Sequence, residues 1–98
     1  MYKEIRIVYS DAAKNEILKI FEEEKIEKYL NLEQVKAKWS KNIRHMGTQI
    51  WPGTDSIFIL LLENEKAEQL IVKLKEMKKN LIEGVDMFVI ISPVEEMF

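Results

Sequence analysis

The chain has 98 residues, 47% hydrophobic and 33% charged, with a formal net charge of −2. This bounds a single soluble domain, 1–98, and excludes the overall basic excess that nucleic acid or an anionic membrane would select. The absence of cysteine excludes disulfides, thiol catalysis and thiolate metal sites.

The opening MYKEIRIVYSD is too short and too charged for a signal peptide. Within it residues 2–9 read as a strand, with Ile5, Ile7 and Tyr9 alternating with Glu4, Arg6 and Val8. Ser10 and Asp11 are helix-starting residues, because their side-chain oxygens can accept the free amides of a first turn. Ala13, Ile17, Ile20 and Phe21 follow at helical spacing, which predicts a helix to about Lys25.

Residues 30–39 form a second predicted strand, with a bulge near Glu33 because Leu30 and Leu32 fall on the opposite parity to Val35, Ala37 and Trp39. Glycine and proline mark residues 41–54 as loop. Residues 57–62, IFILLL, are apolar on both parities, the pattern of a strand buried on both faces. This longest apolar run falls far short of the ~20 residues of a membrane span. No membrane insertion is therefore expected, and the protein reads as cytoplasmic.

Asn64 is the expected cap of a second helix carrying Ala67, Leu70, Ile71, Leu74, Met77 and Leu81, with Lys78 and Lys79 at its negative pole. Gly84 breaks the pattern. Residues 85–92 form the fourth predicted strand, which Pro93 closes before the tail VEEMF.

The order β-α-β-β-α-β, with right-handed crossovers, gives an α+β, ferredoxin-like sandwich: an antiparallel four-stranded sheet with two helices on one face. Phe58, Leu60, Leu62, Phe88 and Ile90 are expected on the uncovered face. A bare apolar sheet is costly in water, so a homo-oligomer packed sheet against sheet is expected.

One stretch, RHMGTQIWPGTD at 44–55, holds the single histidine, two of the three glycines, one of the two prolines and one of the two tryptophans. Lys36, Lys38, Lys41, Arg44 and His45 cluster before and within it, with no acid between Gln34 and Gln49. Lys36 and Lys38 fall on one side of a strand. Gly47 permits close approach of backbone amides, Thr48 offers a hydroxyl and Trp51 a stacking surface for a purine. Charge, amides and an aromatic plate suit a small anionic ligand, with a nucleotide as the candidate cofactor. The plainer alternative is a non-ligand-binding interaction module, with a solvated basic strand edge and Trp51 plugging the core or an interface.

No nucleophile elbow or phosphate loop occurs, and the run Glu22, Glu23, Glu24 reads as a solvated helix face, so an enzyme is not expected. For a metal, His45 is the candidate ligand, with Met46 or a carboxylate beside it. One histidine and no cysteine cannot close a zinc site in one chain, whereas three symmetric copies of His45 could. RNA is not expected either, because IFILLL stands where an RNA-recognition module needs aromatics.

The element order, the size and the long polar loop at 38–54, with HMGTQIWPGTDSIF leading into strand three, resemble the PII-like proteins, of which CutA is a structural cousin. The resemblance implies a homotrimer, small-molecule sites at the clefts between subunits, commonly for adenine nucleotides, and a loop, here 40–55, that reaches a protein partner. The CutA branch implies a divalent-metal-responsive protein as the alternative. Between the second helix and last strand the chain reads KKNLIEGVD, where PII proteins carry a richer Gly/Arg/Lys loop, and residues 38–54 contain no tyrosine to match the modified one of the nitrogen regulators.

Overall fold

The computed structural model describes residues 1–38, 44–45 and 54–98. The elements run β1 (Tyr2–Ser10), a 3-10 turn (Asp11–Ala13), α1 (Lys14–Glu23), β2 (Leu30–Val35), β3 (Ala37–Lys38), β4 (Arg44–His45), β5 (Asp55–Glu63), α2 (Asn64–Lys79) and β6 (Met87–Pro93). The main sheet is antiparallel, in the order β2-β5-β1-β6, and β3 pairs with β4 in a separate two-stranded ribbon. The expected ferredoxin-like arrangement is what the chain adopts.

β1 sits at the centre and fixes which residues share a face. Ile5, Ile7 and Tyr9 stand opposite Leu60, Phe58 and Ser56 of β5, and opposite Ile91, Val89 and Met87 of β6. Of these, Ile5, Ile7, Tyr9, Phe58, Leu60 and Met87 meet Ile17 and Phe21 of α1 and Ala67, Leu70, Leu74 and Met77 of α2 in one buried core. Tyr9 stacks on Phe58 with ring centroids 4.9 Å apart, and Phe21 and Tyr29 meet Phe58 edge-on at 5.0 and 5.1 Å.

Among the described residues, no helix covers the other face. By the same registers it presents Leu30 and Leu32 of β2, Ile57, Ile59 and Leu61 of β5, Phe88 and Ile90 of β6, and from β1 Val8 with Glu4 and Arg6, which pair at 3.0 Å in the middle of the face. Leu30, Leu32, Leu61, Phe88 and Ile90 are each 41–64% exposed, so this is an apolar surface and not a set of isolated residues. Phe88 and Ile90 lie on it as expected. Phe58, Leu60 and Leu62 do not: they face the helices, and Phe58 and Leu60 are buried. With both parities of IFILLL apolar, only the pairing with β1 decides the matter.

Other boundaries move for local reasons. The expected bulge in the second strand is a register shift between Leu32 and Val35, where Gln34 takes φ +58°, and β2 stops there. The segment expected to be loop contains the paired residues Arg44 and His45. Trp39 lies outside the described residues. Asn64 is the first residue of α2 and not its cap, and its side-chain oxygen is buried without a partner. Leu81 lies beyond α2, and Gly84 turns the chain with φ +85°.

α1 ends at Glu23, with Lys25 in the left-handed region at φ +56°. The Ile26 amide donates to the Phe21 carbonyl at 2.8 Å and the Lys25 amide to that of Glu22 at 3.2 Å, the paired bonds of a Schellman motif. That position favours glycine. Lys25→Gly is expected to stabilise the fold by roughly 0.5–1 kcal/mol, read from urea unfolding at an unchanged m-value.

Candidate functional site

The basic residues gather where β2 gives way to the β3–β4 ribbon. Lys36 is exposed between β2 and β3. In the ribbon Ala37 stands opposite His45, and Lys38 opposite Arg44. The structure therefore brings Lys38, Arg44 and His45 into two adjacent rungs, next in sequence to Lys36. Gly47, Thr48 and Trp51, with Met46, lie outside the described residues. Among the described residues, no three His, Cys, Asp or Glu side chains form a group that could hold a metal.

The base of this region is held by groups that the sequence did not point to. Asp11, read as a helix starter, does not cap a helix. Its carboxylate accepts from the Thr54 hydroxyl and, at 2.5 Å, from that of Ser56. The Asp11 amide donates to the Thr54 carbonyl at 3.0 Å, and the Gln34 amide to the Ser56 hydroxyl at 3.3 Å. One carboxylate thus ties the end of β1 to the start of β5, and Ser56 links that point to the end of β2. Asp55, between the two hydroxyl residues, is fully buried.

Ser10 makes the matching tie on the other side. Its amide donates to the Asp86 carbonyl and its hydroxyl accepts from the Asp86 amide, both at 2.9 Å. Lys78 in turn lies 3.5 Å from the Asp86 carboxylate and donates to the Met87 carbonyl. Two consecutive residues therefore anchor the return of the 39–53 segment and the turn that precedes β6.

Tyr9 closes the floor. Its hydroxyl accepts from Asn31 Nδ2 at 2.9 Å, and burial raises its pKa above the usual value near 10, against the lowering effect of its bonds to Asn31 and Ser56. Lys14, bonded to Glu33 at 3.3 Å, is held protonated to higher pH by that hydrogen bond. A carboxylate whose two partners are 43 and 45 residues away leaves no periodic trace in sequence. Only the unusual run of Thr54, Asp55 and Ser56 just ahead of IFILLL hinted at it.

With this geometry in place, similarity to solved structures becomes informative. A protein of Thiomonas intermedia K12, CPII, described as a nitrogen regulatory PII-like protein and bound to ADP, AMP and bicarbonate, matches with TM-score 0.71 at 13% identity, over 97% of this chain and 89% of its own. The chain has a PII-like fold. A Thermus thermophilus protein provisionally assigned to PII-like signalling matches with TM-score 0.66 at 14% identity, over 93% and 84% of the two chains. A Pediococcus pentosaceus protein of unknown function matches with TM-score 0.64 at 13% identity, over 100% and 97%. No protein-family model matches the chain, and no curated protein matches its sequence. Among the described residues no helix is long and apolar enough to cross a membrane.

The ties at Asp11 have a measurable cost of removal. Asp11→Ala leaves the Thr54 and Ser56 hydroxyls without their charged acceptor, and is expected to destabilise the fold by about 2–3 kcal/mol in urea unfolding. Lys19→Ala, on the exposed face of α1, is expected to change stability by less than about 0.5 kcal/mol.

Proposed function

We propose that this chain is a PII-like regulatory protein, not an enzyme, that binds a small anionic ligand at the basic ribbon. The observation that carries the reading is the register that sets Lys38 opposite Arg44. Like charges at directly opposed strand positions disfavour pairing, and a bound anion turns that repulsion into attraction. His45 on the next rung and Lys36 beside it add donors of the same kind, and Gly47, Thr48 and Trp51 are proposed to complete the ligand set.

A nucleotide is the first candidate, because the CPII protein with this fold is bound to ADP and AMP. Its other bound anion, bicarbonate, is the second candidate. The site is proposed to lie between copies of the chain in a cytoplasmic homotrimer, assembled through the apolar sheet face, with residues 40–55 carrying the signal to a protein partner. The partly exposed Leu30, Leu32, Leu61, Phe88 and Ile90 support assembly, since burying the remaining exposed half of each such side chain contributes roughly 1 kcal/mol.

A thermal-shift panel of ADP, AMP, ATP, bicarbonate and phosphorylated metabolites tests the reading. A ligand at about 100 times its Kd stabilises by roughly 2.7 kcal/mol, on the order of 10 °C for a domain of this size. At least one compound is expected to produce such a shift in the native chain and in Lys19→Ala, and to lose most of it in Lys38→Ala and Arg44→Ala. A panel that leaves the melting point unmoved, or a shift the ribbon variants retain in full, would overturn the proposal.

A further inference from the structure

Among the described residues, two other than glycine hold a left-handed backbone, Lys25 at φ +56° and Gln34 at φ +58°. Lys25 follows the end of α1, where that conformation is the usual stop. Gln34 lies inside β2, where extended backbone is the rule and a left-handed residue with a side chain is disfavoured. Strain of this kind persists only where the surroundings over-determine it, and it gathers at functional positions.

The strand register shows what the strain accomplishes. β2 pairs Leu32 with Ile57 and then Val35 with Asp55, three steps along β2 against two along β5. Glu33 and Gln34 thus stand together against Ser56, a β-bulge with one extra residue. Side chains alternate along a strand, so a regular β2 would place Leu30, Leu32, Gln34 and Lys36 in one row. That row lies on the apolar sheet face, and Lys36 would enter it. The bulge gives the next place in the row to Val35, which is half-buried, and moves Lys36 to the other parity, exposed at the start of the ribbon.

The bulge is locked from below. The Gln34 amide donates to the Ser56 hydroxyl at 3.3 Å, and that hydroxyl donates in turn to the Asp11 carboxylate at 2.5 Å. With its proton committed to Asp11, buried Ser56 keeps a lone pair for Gln34. The Thr54 hydroxyl donates to the same carboxylate, so both flanks of the ribbon are held at one group. We infer that the bulge at Gln34 is the positioning element of the anion site: it takes Lys36, and the ribbon that follows, off the apolar face, and Ser56 with Asp11 holds it in place. That the ribbon binds an anion is the reading proposed above; the bulge and its lock stand without it.

Gln34 is exposed, so substitutions there act on the backbone and leave the core intact. Interstrand nuclear Overhauser effects between Val35 and Asp55 report the bulged register. Glycine tolerates a left-handed backbone best, so Gln34→Gly is expected to keep these effects and to raise the folding equilibrium constant roughly threefold in urea unfolding. A β-branched residue tolerates it least. Gln34→Val is expected to lose the effects and to bring Val35 against Thr54, while those between Ile5 and Leu60 persist. Ser56→Ala is expected to weaken the Val35–Asp55 effects by at least about half, and Gln34→Gly added to it is expected to restore them. If ADP raises the melting temperature of the native chain, Gln34→Gly is expected to retain that rise and Gln34→Val to lose at least about half of it. A Gln34→Val chain that still pairs Val35 with Asp55, a Ser56→Ala chain with unchanged pairing or without rescue by glycine, or a full ADP response in the slipped register would each overturn the inference. A native chain that no compound stabilises would overturn the ligand reading alone, and the pairing of Val35 would still decide the bulge.

Discussion

The registry of β1 against its two neighbours is the constraint on which the rest of this structure depends. Side chains alternate along a strand with a period of two, so moving β1 by one residue would exchange the covered and uncovered faces of the sheet. Ile5, Ile7 and Tyr9 lock the choice, because they align with Leu60, Phe58 and Ser56 on one side and Ile91, Val89 and Met87 on the other. The aromatic cluster of Tyr9, Phe58, Phe21 and Tyr29 then ties that face to α1 and the start of β2. Once the core is set, the second apolar face follows without further choice, since β5 and β6 are apolar on both sides.

The consequences reach the candidate site. The end of β1 delivers Ser10 and Asp11 to a point between two connecting parts of the chain. Asp11 secures Thr54 and Ser56, where the 39–53 segment returns to the sheet, and Ser10 secures Asp86, ahead of β6. The sheet next to the basic ribbon is thereby fastened to the central strand, which is the arrangement expected beneath a candidate site on a rigid scaffold.

Much of the architecture was legible in the sequence, because its signals are local. Alternation in β1, three- and four-residue spacing in α1 and α2, and the breaks at Gly84 and Pro93 place the elements in order. The facing of β5 was not legible, since a strand apolar at every position has no parity to read, and Phe58, Leu60 and Leu62 were consequently assigned to the wrong side. The basic cluster was visible as composition, but its pairing was not. Arg44 and His45 form a two-residue strand inside glycine- and proline-rich sequence, too short for any periodicity. Asp11 was hidden for the opposite reason: next to Ser10 it looks like a local capping residue, while its partners are distant in the chain.

A sheet face carrying Leu30, Leu32, Ile59, Leu61 and Ile90 is costly to leave in water, and its burial between copies is the assembly proposed above, with the clefts it would form proposed to lie beside the basic ribbon. Multi-angle light scattering on the native chain and on Ile59→Asp, across the micromolar range, addresses this most directly. The native protein is expected at three times the 11.6 kDa chain mass and the variant at the mass of one folded chain. A native protein that stays at 11.6 kDa, or an Ile59→Asp variant that assembles as the native chain does, would contradict assembly through this face.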